Sequence, residues 1–126
     1  MKKSFLITLL MVAASVGVQA QGLKLNLNGV NYETLTDSTA KVANCAAYGD
    51  VIVSGHVKIK RKIYKVVEIA PQAFAANSVG VGVSTVTLPE TLEKIGESAF
   101  KEAPLTKIEI PSSVTEIGDM AFYNCK

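Results

Sequence analysis

Few side chains in this sequence have the type and spacing for chemistry. His56 is the only histidine, and no Cys-x-x-Cys is present. A metal site would want three or four convergent ligands. His56 stands beside Gly55, where a turn is expected. There is no Gly-x-Ser-x-Gly, and no Ser and acid partner for His56 appears in its sequence context. Gly80-Val81-Gly82 is not followed by the Gly-Lys-Ser/Thr of a phosphate loop. The basic run Lys58, Lys60, Arg61, Lys62 and Lys65 sets five positive charges in eight residues. Such a run can hold a phosphate-rich polymer or an acidic glycan. Here Val57, Ile59 and Ile63 interleave it, the pattern of a two-stranded turn with a solvated face. Only Tyr64 offers a ring for base stacking. The expectation is therefore no catalytic residue, no cofactor, no metal and no nucleic acid.

The chain's ends and charge narrow its class. Lys2 and Lys3 precede an apolar stretch from Phe5 to Val18, and Val18-Gln19-Ala20 supplies the short residues a signal peptidase accepts. This is the three-part secretory signal, with cleavage expected between Ala20 and Gln21. The apolar run is below the roughly 18 to 20 residues that span a bilayer, so no stable membrane span is expected after its removal. No cysteine near the cleavage point suggests a lipid anchor. Leu88-Pro89-Glu90-Thr91-Leu92 looks like a sortase signal, but has Leu where Gly is needed and no apolar and basic tail. Residues 21–126 carry 11 basic and 11 acidic groups, since Lys2 and Lys3 leave 13 less 2. Near-neutrality gives no general argument for nucleic acid or an anionic membrane. The length supports one domain.

The elements that must position any surface are repeats. Val86 onward aligns with Ile108 onward at an offset of 22: Pro89 meets Pro111, Ile95 meets Ile117, Gly96 meets Gly118, and Ala99-Phe100 meets Ala121-Phe122. Val86, Leu88, Leu92 and Ala103 fall on Ile108, Ile110, Val114 and Cys125. Core-type positions coincide while those between them vary, as stacked coils require. An earlier copy places Val66, Ile69, Ala70 and Ala73-Phe74 on the same pattern at an offset of 26, with the extra residues assigned to a loop over 77–83. The alternating Val86-Thr87-Leu88 and Ile108-Glu109-Ile110 read as half-buried strands ended by proline. Gly96 and Gly118 suit sharp turns at positive φ. Phe74, Phe100 and Phe122 should form one internal column. Glu68, Lys94 and Glu116 should be neighbours in a charge ladder. Cys45 and Cys125 fall in different coils, farther apart than the roughly 7 Å between Cα atoms that a disulfide permits, so two buried thiols are expected.

The strings Ile-Pro-Ser-Ser-Val-Thr-Glu-Ile-Gly-Asp-Met-Ala-Phe-Tyr-Asn-Cys (110–125) and Leu-Pro-Glu-Thr-Leu-Glu-Lys-Ile-Gly-Glu-Ser-Ala-Phe (88–100) closely resemble BspA-like leucine-rich repeats of bacterial surface proteins. The resemblance covers about residues 50–126. The copy around Ile69 and Phe74 departs most, with Ala70 in place of Gly and no proline after a strand. The resemblance implies a right-handed solenoid of short parallel strands, on secreted or surface-attached proteins that bind other proteins, and it carries over no catalytic residue.

Leu23, Leu25 and Leu27, the Asn28-Gly29 turn, and the runs Val30–Leu35 and Thr39–Cys45 predict antiparallel strands. The expected organisation is a signal peptide (1–20), an antiparallel β cap (21–65) and about three repeats (66–126), a mainly β fold. Thr85, Thr87, Lys107 and Glu109 should point outward as the partner-binding face, without an aromatic anchor. The expected role is a non-enzymatic protein-binding or adhesion module, secreted, at the cell surface or periplasmic, whose partner is a host or neighbouring-cell surface protein. The alternative is a truncated or remnant end of a larger repeat protein, self-associating through its C-terminal coil.

Overall fold

The computed structural model describes residues 22–76 and 82–125. The signal segment with Ala20 and Gln21, and most of the loop assigned to 77–83, lie outside these residues. Ten strands are described: β1 (Lys24–Leu27), β2 (Val30–Thr34), β3 (Thr39–Cys45), β4 (Gly49–Ile52), β5 (His56–Ile59), β6 (Lys62–Ile69), β7 (Val83–Thr87), β8 (Lys94–Ile95), β9 (Lys107–Ile108) and β10 (Glu116–Ile117). They form two sheets. One has the order β10-β8-β6-β3-β2-β1, with β5 paired to β6; the other has the order β9-β7-β4.

The fold is a short solenoid. Each coil lays one strand in each sheet and closes with a tight turn, so successive coils pair in parallel: β3, β6, β8 and β10 in the first sheet, β4, β7 and β9 in the second. Pro89 and Pro111 follow shortly after the ends of β7 and β9, where the ladder no longer needs an N–H. The third side is a column of turns bonded backbone to backbone. Gln72, Phe74 and Ala76 donate to the carbonyls of Glu97, Ala99 and Lys101, and Ser98, Phe100 and Glu102 donate to those of Asp119, Ala121 and Tyr123.

Inward rows fill the space between the three sides. Phe74 and Phe100 stack with ring centroids 4.9 Å apart, and Phe100 and Phe122 at 5.3 Å, in nearly parallel planes. These separations exceed a face-to-face contact, so the rings are offset, the arrangement aromatic pairs favour. Val42, Ile69, Ile95 and Ile117 make a second row, continued into the cap by Tyr32 and Leu25.

The N-terminal end differs from the sequence reading. The antiparallel part runs only from β1 through the β2–β3 pair, and β5 and β6 form a separate antiparallel hairpin. In between, β3 and β4 already pair in parallel with β6 and β7, so a first coil lies inside the span expected to be all cap, and residue 65 falls within β6. Asn28 and Gly29 turn β1 into β2 with φ of 54° and 87°, the two positive values of a tight hairpin. Lys60 and Arg61 do the same between β5 and β6 without a glycine, which places the basic run on a solvated hairpin. His56 is the first residue of β5, exposed, and not in a turn.

The glycine expectation also needs correction. Gly96 and Gly118 do not have positive φ; that conformation falls two residues later, at Ser98 and Met120, and at Gln72 in the preceding coil. What Gly96 provides is close approach. A Cβ there would lie 2.7 Å from the Ile69 carbonyl oxygen and from the Pro71 nitrogen, and one at Gly118 would lie 2.6 Å from the Glu97 nitrogen. The coils touch backbone to backbone at this corner. Ala70 takes the equivalent place one coil earlier, its N–H bonded to the Val42 carbonyl of β3 at 2.9 Å.

Candidate functional site: the outward faces of the two sheets

Alternation along the three-stranded sheet turns Val51, Val86 and Ile108 inward, and in-register neighbours turn out. One outward row is Asp50, Thr85 and Lys107; the next begins with Ile52 and Thr87, and Glu109 follows Ile108 on the third strand. Thr85 donates its hydroxyl hydrogen to Asp50 Oδ1 at 2.7 Å, which fixes one row's geometry. Thr85, Thr87, Lys107 and Glu109 all line an open depression of about 510 Å³, together with Val86, Ile108 and Pro111. The four residues singled out from the sequence therefore lie on one face. Asp50 and Ile52 lie in register with them and were not singled out, because β4 fell inside the expected cap. Ile52 is 73% exposed, and Tyr48, just before β4, is 77% exposed. Ile52 is thus exposed in register with Thr87, and Tyr48 is exposed immediately before the strand.

The larger sheet presents a different face. Glu68, Lys94 and Glu116 are in register as the offset implied. The row extends further than the repeats, because Lys41 faces Glu68, Glu33 faces Lys41 and Lys24 faces Glu33. Six strands in succession read Lys, Glu, Lys, Glu, Lys, Glu. Two rungs are ion pairs, Lys41 Nζ to Glu33 Oε1 at 4.0 Å and Lys94 Nζ to Glu116 Oε2 at 3.9 Å. At a surface each such pair contributes about 0.2–1 kcal/mol, while like charges placed opposite destabilise. Beside this row Asn26, Asn31 and Asn44 bond amide to amide at 2.7 and 2.6 Å.

Both thiols are free. Cys45 is buried and Cys125 half-buried, its S–H donating to the Phe100 carbonyl at 3.0 Å. Burial raises the pKa of each above the ordinary thiol value. Because the folded thiol holds its proton where the unfolded one loses it, this contribution to stability is complete below the unfolded pKa, about 8.5, and is lost as pH rises above it. The denaturant midpoint is expected to fall between pH 7 and pH 10 by less in Cys45→Ala than in the parent chain. Among the described residues no three His, Cys, Asp or Glu side chains converge as metal ligands, and no helix is long and apolar enough to cross a membrane.

Parallel coils, an aromatic column and proline-ended strands define a leucine-rich-repeat solenoid of the bacterial type. Six copies of the BspA type leucine rich repeat region match residues 34–126, and the chain belongs to that family. The match begins within β2, consistent with a coil at β3 and β4. No curated protein matches the chain. Among solved structures, a leucine-rich repeat protein from Bacteroides capillosus shares 21% identity with a TM-score of 0.72, covering 79% of this chain and 74% of that one. A leucine rich cell surface protein from Faecalibacterium prausnitzii shares 22% with a TM-score of 0.61, covering 80% of this chain and 28% of its own. The pneumococcal vaccine antigen PcpA shares 21% with a TM-score of 0.61, covering 83% and 31%. The chain thus spans less than a third of the latter two, and the likeness is one of fold.

Proposed function

We propose that the chain is an exported, non-enzymatic protein-binding or adhesion module that uses the outward face of β4, β7 and β9 to hold a protein on a host or neighbouring cell. The observation that carries this reading is the polar row of Asp50, Thr85 and Lys107 lying next to exposed Ile52, with exposed Tyr48 immediately before the same strand. Tyrosine is among the side chains that dominate interface energy, and a rigid sheet holds its polar neighbours at no ordering cost on binding. The family's architecture and the F. prausnitzii cell surface neighbour support a place outside the cytoplasm. In this reading the signal is cleaved between Ala20 and Gln21, and N-terminal sequencing of exported protein would begin at Gln21.

The test is capture of surface proteins on immobilised chain, followed by affinity measurement on the purified partner. Tyr48→Ser with Ile52→Glu is expected to weaken that binding at least about tenfold without lowering the melting temperature. Undiminished binding by this variant would remove the face from consideration.

A second reading is a self-associating structural piece of a larger repeat protein. It is favoured by the last coil, where Ile117, Met120 and Tyr123 are 49%, 50% and 53% exposed while Ile95, one coil earlier, is fully covered.

A further inference from the structure

We infer that copies of this chain add head to tail, the β1 edge of one copy pairing in parallel with the β10 edge of the next, with Lys24 set against Glu116. The inference rests on the self-association reading and deepens it by naming the second edge, its direction and its register.

Three independent features of the large sheet agree on this geometry. The first is charge. The row Lys24, Glu33, Lys41, Glu68, Lys94, Glu116 alternates without a fault across all six strands, and its two ends carry opposite sign. A seventh strand laid on β10 would continue the alternation only by presenting a cation opposite Glu116, and the β1 edge presents Lys24. Tail-to-tail pairing would instead crowd two Glu116 carboxylates onto one seam, the arrangement that destabilises.

The second is direction. β1 is antiparallel to β2, and β2 is antiparallel to β3, so β1 runs the same way as β3, β6, β8 and β10. Repetition of the molecule along its own stack therefore brings β1 alongside β10 in parallel, the pairing every inner coil uses. The third is the apolar row. With Lys24 on Glu116, Leu25 falls on Ile117 and extends Leu25, Tyr32, Val42, Ile69, Ile95 and Ile117 in the register already set by Ile95 on Ile117. Ile117 is half-exposed, and among the described residues β1 and β10 are the two terminal strands of their sheet, the kind of edge that templates a strand. A heterologous contact of this kind does not close on itself, and it builds a series of oligomers and no single dimer.

The experiment is analytical ultracentrifugation of the exported, purified protein over a wide concentration range. Dimers, trimers and longer species are expected to appear progressively and to weaken with added salt. Lys24→Glu and Glu116→Lys should each raise the concentration for half-association by about threefold to tenfold. An equimolar mixture of the two variants should recover it, since each then offers the other a complementary edge. Circular dichroism and melting checks that each variant is folded. A strictly monomeric parent chain, or unchanged association of Lys24→Glu, overturns the head-to-tail arrangement. The second of these results, with a discrete dimer sensitive only to Glu116→Lys, would leave self-association through the last coil standing and remove β1 from it.

Discussion

Replacing Phe100 with alanine is expected to lower the unfolding free energy by about 3–5 kcal/mol, the range seen when a buried aromatic leaves a cavity that its surroundings cannot refill. Phe100 is wholly inaccessible and sits between Phe74 and Phe122, so its loss removes both ring contacts of the column at once. The backbone on either side is pinned, because Phe74 N–H donates to the Ala99 carbonyl at 2.7 Å and Phe100 N–H to the Ala121 carbonyl at 2.7 Å. Collapse onto the void would break these bonds. Phe122→Ala should cost about half as much, since that ring is partly exposed and has one stacking partner. Denaturant melts of the two variants against the parent would measure both values. Equal losses would mean that the column does not transmit through the middle coil.

Gly96→Ala is expected to cost about 3 kcal/mol, although it adds a single methyl group. The atoms it meets at 2.7 Å belong to the backbone at Ile69 and Pro71 and cannot rotate away. The Gly96 N–H bond to the Ile69 carbonyl, 2.9 Å long, would open as the coils separate. Gly49→Ala is the control. Nothing lies within 4 Å of a Cβ there, but φ is +80°, so only the conformational cost of about 1 kcal/mol applies. The difference between the two substitutions, read from the same denaturant series, separates close approach from backbone conformation as the reason for glycine.

That distinction marks where sequence reasoning stopped. A constant offset of 22 was enough to place Phe100 on Phe122, Lys94 on Glu116 and Thr85 with Thr87 beside Lys107 and Glu109, because in a stack register follows directly from repeat length. The first coil was not legible. Val42 stacks on Ile69 at an offset of 27 and Val51 on Val86 at 35, since the β5–β6 hairpin and the loop before β7 lengthen the path between layers. Surface excursions change spacing freely while inward positions stay fixed, so a search at constant period misses them. Asp50, Ile52 and Tyr48 were overlooked for the same reason. The alternation of charge across the cap was hidden as well, because antiparallel pairing from β1 to β3 brings Lys24, Glu33 and Lys41 together at irregular separations.

The bonds that join one coil to the next all run along the stack. A load applied between the first and last strands would therefore pass through every interface in series, and the molecule would yield where a single interface is weakest. The β2–β3 and β3–β6 ladders pair four or five residues each, whereas β8 is held to β6, and β10 to β8, by only two strand residues in register. Tension along the stack would open these short C-terminal ladders first, leaving the longer ladders from β1 to β6 in place.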